Sequence, residues 1–234
     1  MHKNNTNIYS PTFTSRIKIN HVLHNTKQKF NSTFSHMASP TLIKNQPTQN
    51  PYIHYGSQIY LSLCQQLDFI RNYLSKSISN KNPLEYYTWL LRLIKQYQVA
   101  NCHECAEITN IILRLNKVNN SDIFHLYAKS KDGKIRFLDH TVTAIGVKKK
   151  QNNKNNPQLF KPNKNVKILD MWFDCPKGFS SKIKNLKAKL KELFKIKEDE
   201  EILFKPVPSL ELNKETLNML RKEFPNLIFK SFTK

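Results

Sequence analysis

The chain is short of acids at its start, of glycine, of cysteine and of long apolar runs. No Asp or Glu occurs before Asp68. Glycine occurs four times in 234 residues, which argues against a glycine-rich phosphate loop, and neither GxxxxGK(S/T) nor GxGxxG is present. The cysteines are Cys64, Cys102, Cys105 and Cys175. They are too few for a disulfide scaffold and point to a reducing compartment at the place of action. No apolar run approaches a membrane span, so the sequence reads as a soluble protein.

Positive charge is in excess. Lys and Arg number 38 against 17 Asp and Glu, a formal net charge of +21. Such a charge draws in nucleic acid or anionic surfaces through its field alone. Lys, however, greatly outnumbers Arg, and Asn fills the loops. A bidentate grip on phosphate favours Arg, so the excess reads as the codon bias of an AT-rich genome. Nucleic acid is not expected as a partner, and weak contact with an anionic membrane is allowed.

Residues 1–55 are rich in Asn, Thr, Ser, Pro and Lys and show no helical or strand period. The expectation there is a disordered leader. Its basic start lacks an apolar h-region, so it is not a Sec signal peptide. A mitochondrial transit peptide and the leader of an injected bacterial protein both suit its composition. Residues 56–234 are expected to form one catalytic domain.

From Gly56 an apolar face at Ile59, Leu61, Leu63, Leu67, Ile70 and Leu74 predicts a helix. A second helix starts at Asn82-Pro83, with Asn82 as N-cap and Pro83 in the first position. Its core face is Trp89, Leu90, Leu93 and Ile94, and it ends near Gln98. A third helix opens at Asn101-Cys102 and carries Ala106, Ile108, Ile111, Ile112 and Leu115. Strands are predicted over 122–129 and 135–147, joined by a turn at Asp132-Gly133. In the second strand Leu138, His140, Val142 and Ala144 should share one face. Residues 148–165 read as a Lys/Asn surface insertion, and Val166 to Phe173 as a short apolar strand. Residues 182–197 form a basic amphipathic helix, here expected to pack its Leu face on the domain. A strand near Ile202–Phe204 and a helix near Lys214–Phe224 follow. Helices first and an antiparallel sheet after them make the fold class α+β.

Three residues stand where thiol chemistry would need them. A thiol attacks only as thiolate, and a helix N-terminus and a nearby imidazolium both favour that form. Cys102 stands at such an N-terminus, where its own amide can also face a developing oxyanion. His140 lies mid-strand, where an imidazole is held rigidly. Asp170, between Leu169 and Met171, is an acid in an apolar strand and needs a partner such as a histidine.

Asn101-Cys102-His103-Glu104-Cys105-Ala106 resembles the N-C-x-E-x-A helix start of papain-fold cysteine enzymes among injected bacterial effectors. Asp139-His140-Thr141-Val142 resembles their D-H-x-h strand, and Ile168-Leu169-Asp170-Met171-Trp172 their h-h-D-x-W strand, h being apolar. The order Cys, His, Asp is also that of the transglutaminase core. The resemblance covers roughly residues 83–175 and departs at Ala100, where a glycine usually precedes the Asn-Cys pair.

The resemblance implies a papain-like or transglutaminase-like core with the nucleophile at a helix N-terminus. It implies a Cys102, His140 and Asp170 triad that deamidates glutamine, cleaves peptides or transfers the acyl group to an amine. Gln96, Asn101 and Trp172 are the candidates for oxyanion stabilisation or positioning. Gln98 competes with Gln96, and either glutamine can be an ordinary polar residue of its helix. The implied partner is a host protein substrate met in the host cytosol after bacterial injection. A monomer without cofactor or metal is expected.

Two other readings stand beside this one. Cys102 and Cys105 form a CxxC, which suits a redox dithiol or half of a zinc site that Cys175 and His103 would complete. The chain can also be a basic binding module with incidental cysteines. Asp139 and Asp174 read as solvated strand-end acids, and Glu104 as a residue favoured by the helix dipole.

Overall fold

The computed structural model of the chain describes residues 13–34, 38–40, 56–77, 82–147, 158–163, 165–172, 179–181, 188, 190, 191 and 194–229. Helix α1 is Phe13–Thr33, α2 is Gln58–Ser77, α3 is Pro83–Tyr97 and α4 is Cys102–Leu115. Strands β1 (Ser121–Lys129), β2 (Ile135–Ile145), β3 (Lys167–Asp170), β4 (Phe179–Ser181) and β5 (Glu201–Pro206) follow, then α5 (Lys214–Glu223). The five strands lie in the order β4-β3-β2-β1-β5, and every neighbouring pair is antiparallel. The protein is α+β, as its element order implies.

The sheet separates two apolar clusters. On one face α4 packs against β1, β2 and β3. Here Ile145 and Leu169 join buried residues of the helices, among them Ile70, Leu90, Ile94, Ile108 and Ile111. On the other, Leu126, Val142, Ala144 and Ile168 meet Val166, Leu190, Ile196 and Phe204. That near-continuous burial of α4 on all sides makes it the central helix. Thr143 Oγ1 donates to Ala106 O at 2.7 Å, which pins β2 to α4 one turn beyond Cys102.

Local chemistry explains the starts of the helices. Asn82 caps α3, its side chain accepting from Leu84 N and Glu85 N, with Pro83 in the first position. In α2 the expected apolar face is buried only in its second half, at Leu67, Ile70 and Leu74. Ile59 and Leu61 are exposed.

The N-terminal segment differs from a disordered leader. Helix α1 occupies 13–33, packs on α4, and buries Leu23, Phe30 and Phe34 in the helical core. Thr26 and Phe30 follow Leu23 at helical spacing, so one narrow stripe does the packing. Between them lie Lys, Asn and Gln, and that polar majority hides the stripe in the sequence. A full phenylalanine burial is worth about 2–3 kcal/mol, enough to hold such a helix on a preformed core. Ala38 then forms a parallel bridge with Val99, with Ala38 N donating to Gln98 O (2.7 Å) and Ala100 N to Ala38 O (3.0 Å). The rest of the expected leader, residues 1–12, 35–37 and 41–55, lies outside the described residues.

Two more expectations change. Phe160, within the expected surface insertion, bridges Phe204 of β5 and stacks edge-on with Phe124. Most of that insertion (148–157), Asp174, Cys175 and most of the 182–197 helix lie outside the described residues. Leu190 of that helix is buried on the sheet. No described helix is long and apolar enough to cross a membrane.

Candidate active site

The chain reaches Cys102 through a tight connection. Helix α3 ends at Gln98, which takes the left-handed conformation at φ 53. The turn is made there, two residues before Ala100. Ala100 is not among the residues of positive φ, so the alanine fits where a glycine was the expected type. Asn101 then adopts the extended N-cap geometry, and Glu104 Oε2 accepts from Asn101 N at 2.9 Å, one half of a capping box. Cys102 is the first helical residue, so its amide has no acceptor within the helix.

His140 is delivered by an irregularity in β2. Pairing with β1 runs from Ser121↔Ile145 to His125↔Thr141, then resumes at Tyr127↔Phe137. Residues 138–140 of β2 thus face a single residue of β1, a bulge. Asp139 sits in it at φ 50, a left-handed conformation unusual for a non-glycine residue. Leu138, Val142 and Ala144 share the second apolar cluster as their alternation predicts. His140, between them in sequence, instead engages Asp170, Trp172 and Cys102. The carbonyl oxygen of Asp139 lies 3.9 Å from Cys102 Sγ.

The three predicted residues meet. His140 Nε2 and Asp170 Oδ2 are 2.6 Å apart, and the Cys102 sulfur is close enough to act on the imidazole charge. His140 is 0% exposed, Asp170 3% and Cys102 9%. Burial works against a charged imidazole, but the Asp170 carboxylate outweighs it, and the nearby Cys102 sulfur adds to the effect. Together they raise His140 from 6.5 to about 10. The imidazole is therefore held as imidazolium at neutral pH, between a carboxylate and a sulfur.

The walls of the pair are aromatic. The Trp172 ring lies 4.9 Å from that of His140, and Phe194 lies 5.6 Å from it on a segment past the sheet. Trp172 Nε1 donates to Ser39 Oγ at 2.6 Å, and Ser39 Oγ donates to Asn101 Oδ1 at 2.8 Å. Asn101 and Trp172 are thus joined to the site. Gln96 is exposed on α3 and hydrogen-bonds to none of the three, while Gln98 turns back to donate to Lys95 O at 2.6 Å.

The first turn of α4 carries further polar groups. Arg71 of α2 grips Glu104 with two bonds, Nε to Oε1 at 2.7 Å and a second to Oε2 at 3.1 Å. Burial would raise the Glu104 carboxyl, but the Arg71 bonds and charge hold it below its ordinary range. Tyr86 donates to Glu107, whose carboxyl is pushed up by burial against the pull of His103 and Tyr86. A cavity of about 380 Å³ between α2, α3 and α4 is lined by Arg71, Tyr86, His103, Glu104 and Glu107, among others, and by none of the triad. Cys102 and Cys105 are both free thiols, and Cys105 is 1% exposed.

Ser39, Arg71 and Phe194 were not foreseen. Ser39 and Arg71 meet the site across long stretches of chain, and the acid N3 position of α4 was the one available clue to Arg71. Comparison of the chain with known protein families, with curated proteins and with solved structures finds no match.

Proposed function

We propose that the protein carries out thiol-dependent amide chemistry on a host protein, with Cys102 as nucleophile, His140 as acid and base, and Asp170 as its orienting partner. The observation that carries this reading is the run Asp170–His140–Cys102, hydrogen-bonded between Asp170 and His140, with the sulfur on the first residue of a helix. A papain-like or transglutaminase-like core is the corresponding reading of the α+β fold. Cys102 as thiolate attacks the amide carbonyl and forms a tetrahedral oxyanion beside the open amide of the helix start. The C–N bond breaks as His140 gives its proton to the departing ammonia or amine. A thioester remains. His140, now neutral, takes a proton from water as the water attacks, and the acid and free thiol are released. Asp170 keeps the imidazole aligned and offsets its charge. Trp172 and Phe194 exclude water from the buried pair.

Glutamine deamidation leads proteolysis. All three residues are buried, Cys102 at 9% keeping more exposure than Asp170 at 3% or His140 at 0%. A nucleophile with so little exposed surface suits a side-chain amide better than an extended backbone. The resemblance of the three short motifs around Cys102, His140 and Asp170 to those of injected effectors is what supports a bacterial protein acting in a host cell.

The test has two arms. Iodoacetamide near neutral pH should label Cys102 far faster than Cys105 in the full chain, read by peptide mass spectrometry. Incubated with host-cell extract, the wild type and not Cys102→Ala should convert a glutamine to glutamate, create new termini or form an amine adduct. Equal labelling of the two thiols, with no Cys102-dependent product, would sink the proposal.

A further inference from the structure

We infer that Ser39 is a positioning residue of this site, and that the N-terminal segment 38–40 acts as a clasp across it. The inference rests on the thiol-enzyme reading and adds a residue to it. Ser39 Oγ accepts a hydrogen bond from Trp172 Nε1 at 2.6 Å and donates one to Asn101 Oδ1 at 2.8 Å. One hydroxyl thereby joins the two walls of the site. Trp172 lies on the ring of His140, and Asn101 is the cap immediately before Cys102. The backbone repeats the link, since Ala38 bonds to Gln98 and to Ala100 on the approach to the nucleophile.

The physical consequence concerns alignment. Cys102 stands on a helix and His140 in a strand bulge, and a thiol and an imidazole stay facing each other only if helix and strand hold register. Thr143 pins the two one turn further along, at Ala106 O. At the level of Cys102 itself, the Trp172–Ser39–Asn101 relay provides the crosslink. Trp172 is 1% exposed, so its buried N–H calls for an acceptor, and Ser39 Oγ supplies one.

The experiment follows alkylation of Cys102 by iodoacetamide in the full chain against pH, resolved by peptide. On the thiol-enzyme reading the reactive thiol is paired with the imidazole, and the wild-type rate should then fall little from about pH 9 to about pH 6. Ser39→Ala should lose about fivefold at the acidic end and little at the alkaline end, the size of one hydrogen bond. Trp172→Phe keeps the ring over His140 and removes only the N–H, and should reproduce that acid-side loss. Combining the two should add nothing, and Ser39→Thr should restore the wild-type profile. A residue that merely stabilised the fold would change the melting temperature and leave the pH profile alone. If Ser39→Ala fails to fold, Trp172→Phe carries the same test. His140→Ala separates the two ideas. If it changes the profile while Ser39→Ala and Trp172→Phe do not, the clasp is wrong and the triad stands. If it changes nothing, the triad itself is wrong.

Discussion

Asp170→Asn keeps the shape of the strand end and removes one charge. In the wild type a buried imidazolium and a buried carboxylate face each other at 2.6 Å. Breaking one side of such a pair costs about 3–5 kcal/mol when the other charge stays. His140 need not stay charged, because an imidazole can release its proton. The loss in the variant should therefore depend on pH, and its sign follows from the direction of the shift. His140 is raised in the folded protein from 6.5 to about 10. The stabilisation is fully present below about pH 6.5 and fades as the pH rises through 10. Without the Asp170 charge the shift collapses, and burial alone then favours the neutral ring.

The mutational cost should be largest at about pH 6, of the order of 3 kcal/mol, and should shrink steadily toward about pH 10. Urea unfolding of both proteins at four or five pH values measures it, with the midpoint and slope fitted together. His140→Gln offers a check, because it should remove the wild-type decline in stability across the same window. A cost that is constant with pH would refute the reasoning, since it would mean that the pair is neutral and merely hydrogen-bonded.

Three other outcomes follow from the packing. Glu104→Gln loses the Arg71 ion pair and part of the Asn101 cap, so thermal unfolding should show a loss of about 2 kcal/mol. Because Glu104 is held below 4.5, its contribution is present above that pH and vanishes as acid protonates it. The variant's acid limb should accordingly be flatter. Phe30→Ala should cost about 3–5 kcal/mol by denaturant unfolding, whereas a residue in an unstructured leader would cost nothing. Asp139→Val should destabilise by about 2 kcal/mol in a calorimetric scan and Asp139→Gly should not, because only glycine occupies the left-handed bulge without strain.

The sequence carries the triad because its chemistry is local. Cys102 follows an N-cap, His140 lies in a strand and Asp170 is the only acid in an apolar run, so each residue announces its need from its neighbours. The α+β order is legible for the same reason, through Asn82-Pro83, Asn101 and the Asp132-Gly133 turn. What stays hidden is whatever depends on distant pairing. The bulge at 138–140 cannot be seen from alternation, which placed His140 with Val142 when the strand in fact turns it toward Asp170. Gln96 is an oxyanion candidate in the sequence alone, but α3 continues through Tyr97 and carries Gln96 to its solvent face. Helix α1 was missed because one apolar residue per turn suffices once α4 provides the other surface. Ser39 lies in a Ser-rich tract where nothing marks one hydroxyl above the rest.

The charges around the first turn of α4 follow one electrostatic logic. A carboxylate at Glu104 suits the positive end of the helix and completes the cap, but it lies close to a sulfur that the proposed reaction needs as an anion. Left alone, it would oppose the thiolate. Arg71, arriving from α2, binds that carboxylate through two bonds and cancels its charge, and its own field reaches Cys102. On the other side the Asp170 charge is cancelled in the same way, by the imidazolium that faces it. The carboxylates of Glu104 and Asp170 are thus each matched by a cation. The capping carboxylate can stabilise the helix start without suppressing the reactive form of the thiol. Were Arg71 replaced by a neutral residue, the helix would keep its cap and the cysteine would lose reactivity, so structure and chemistry at this turn are separable.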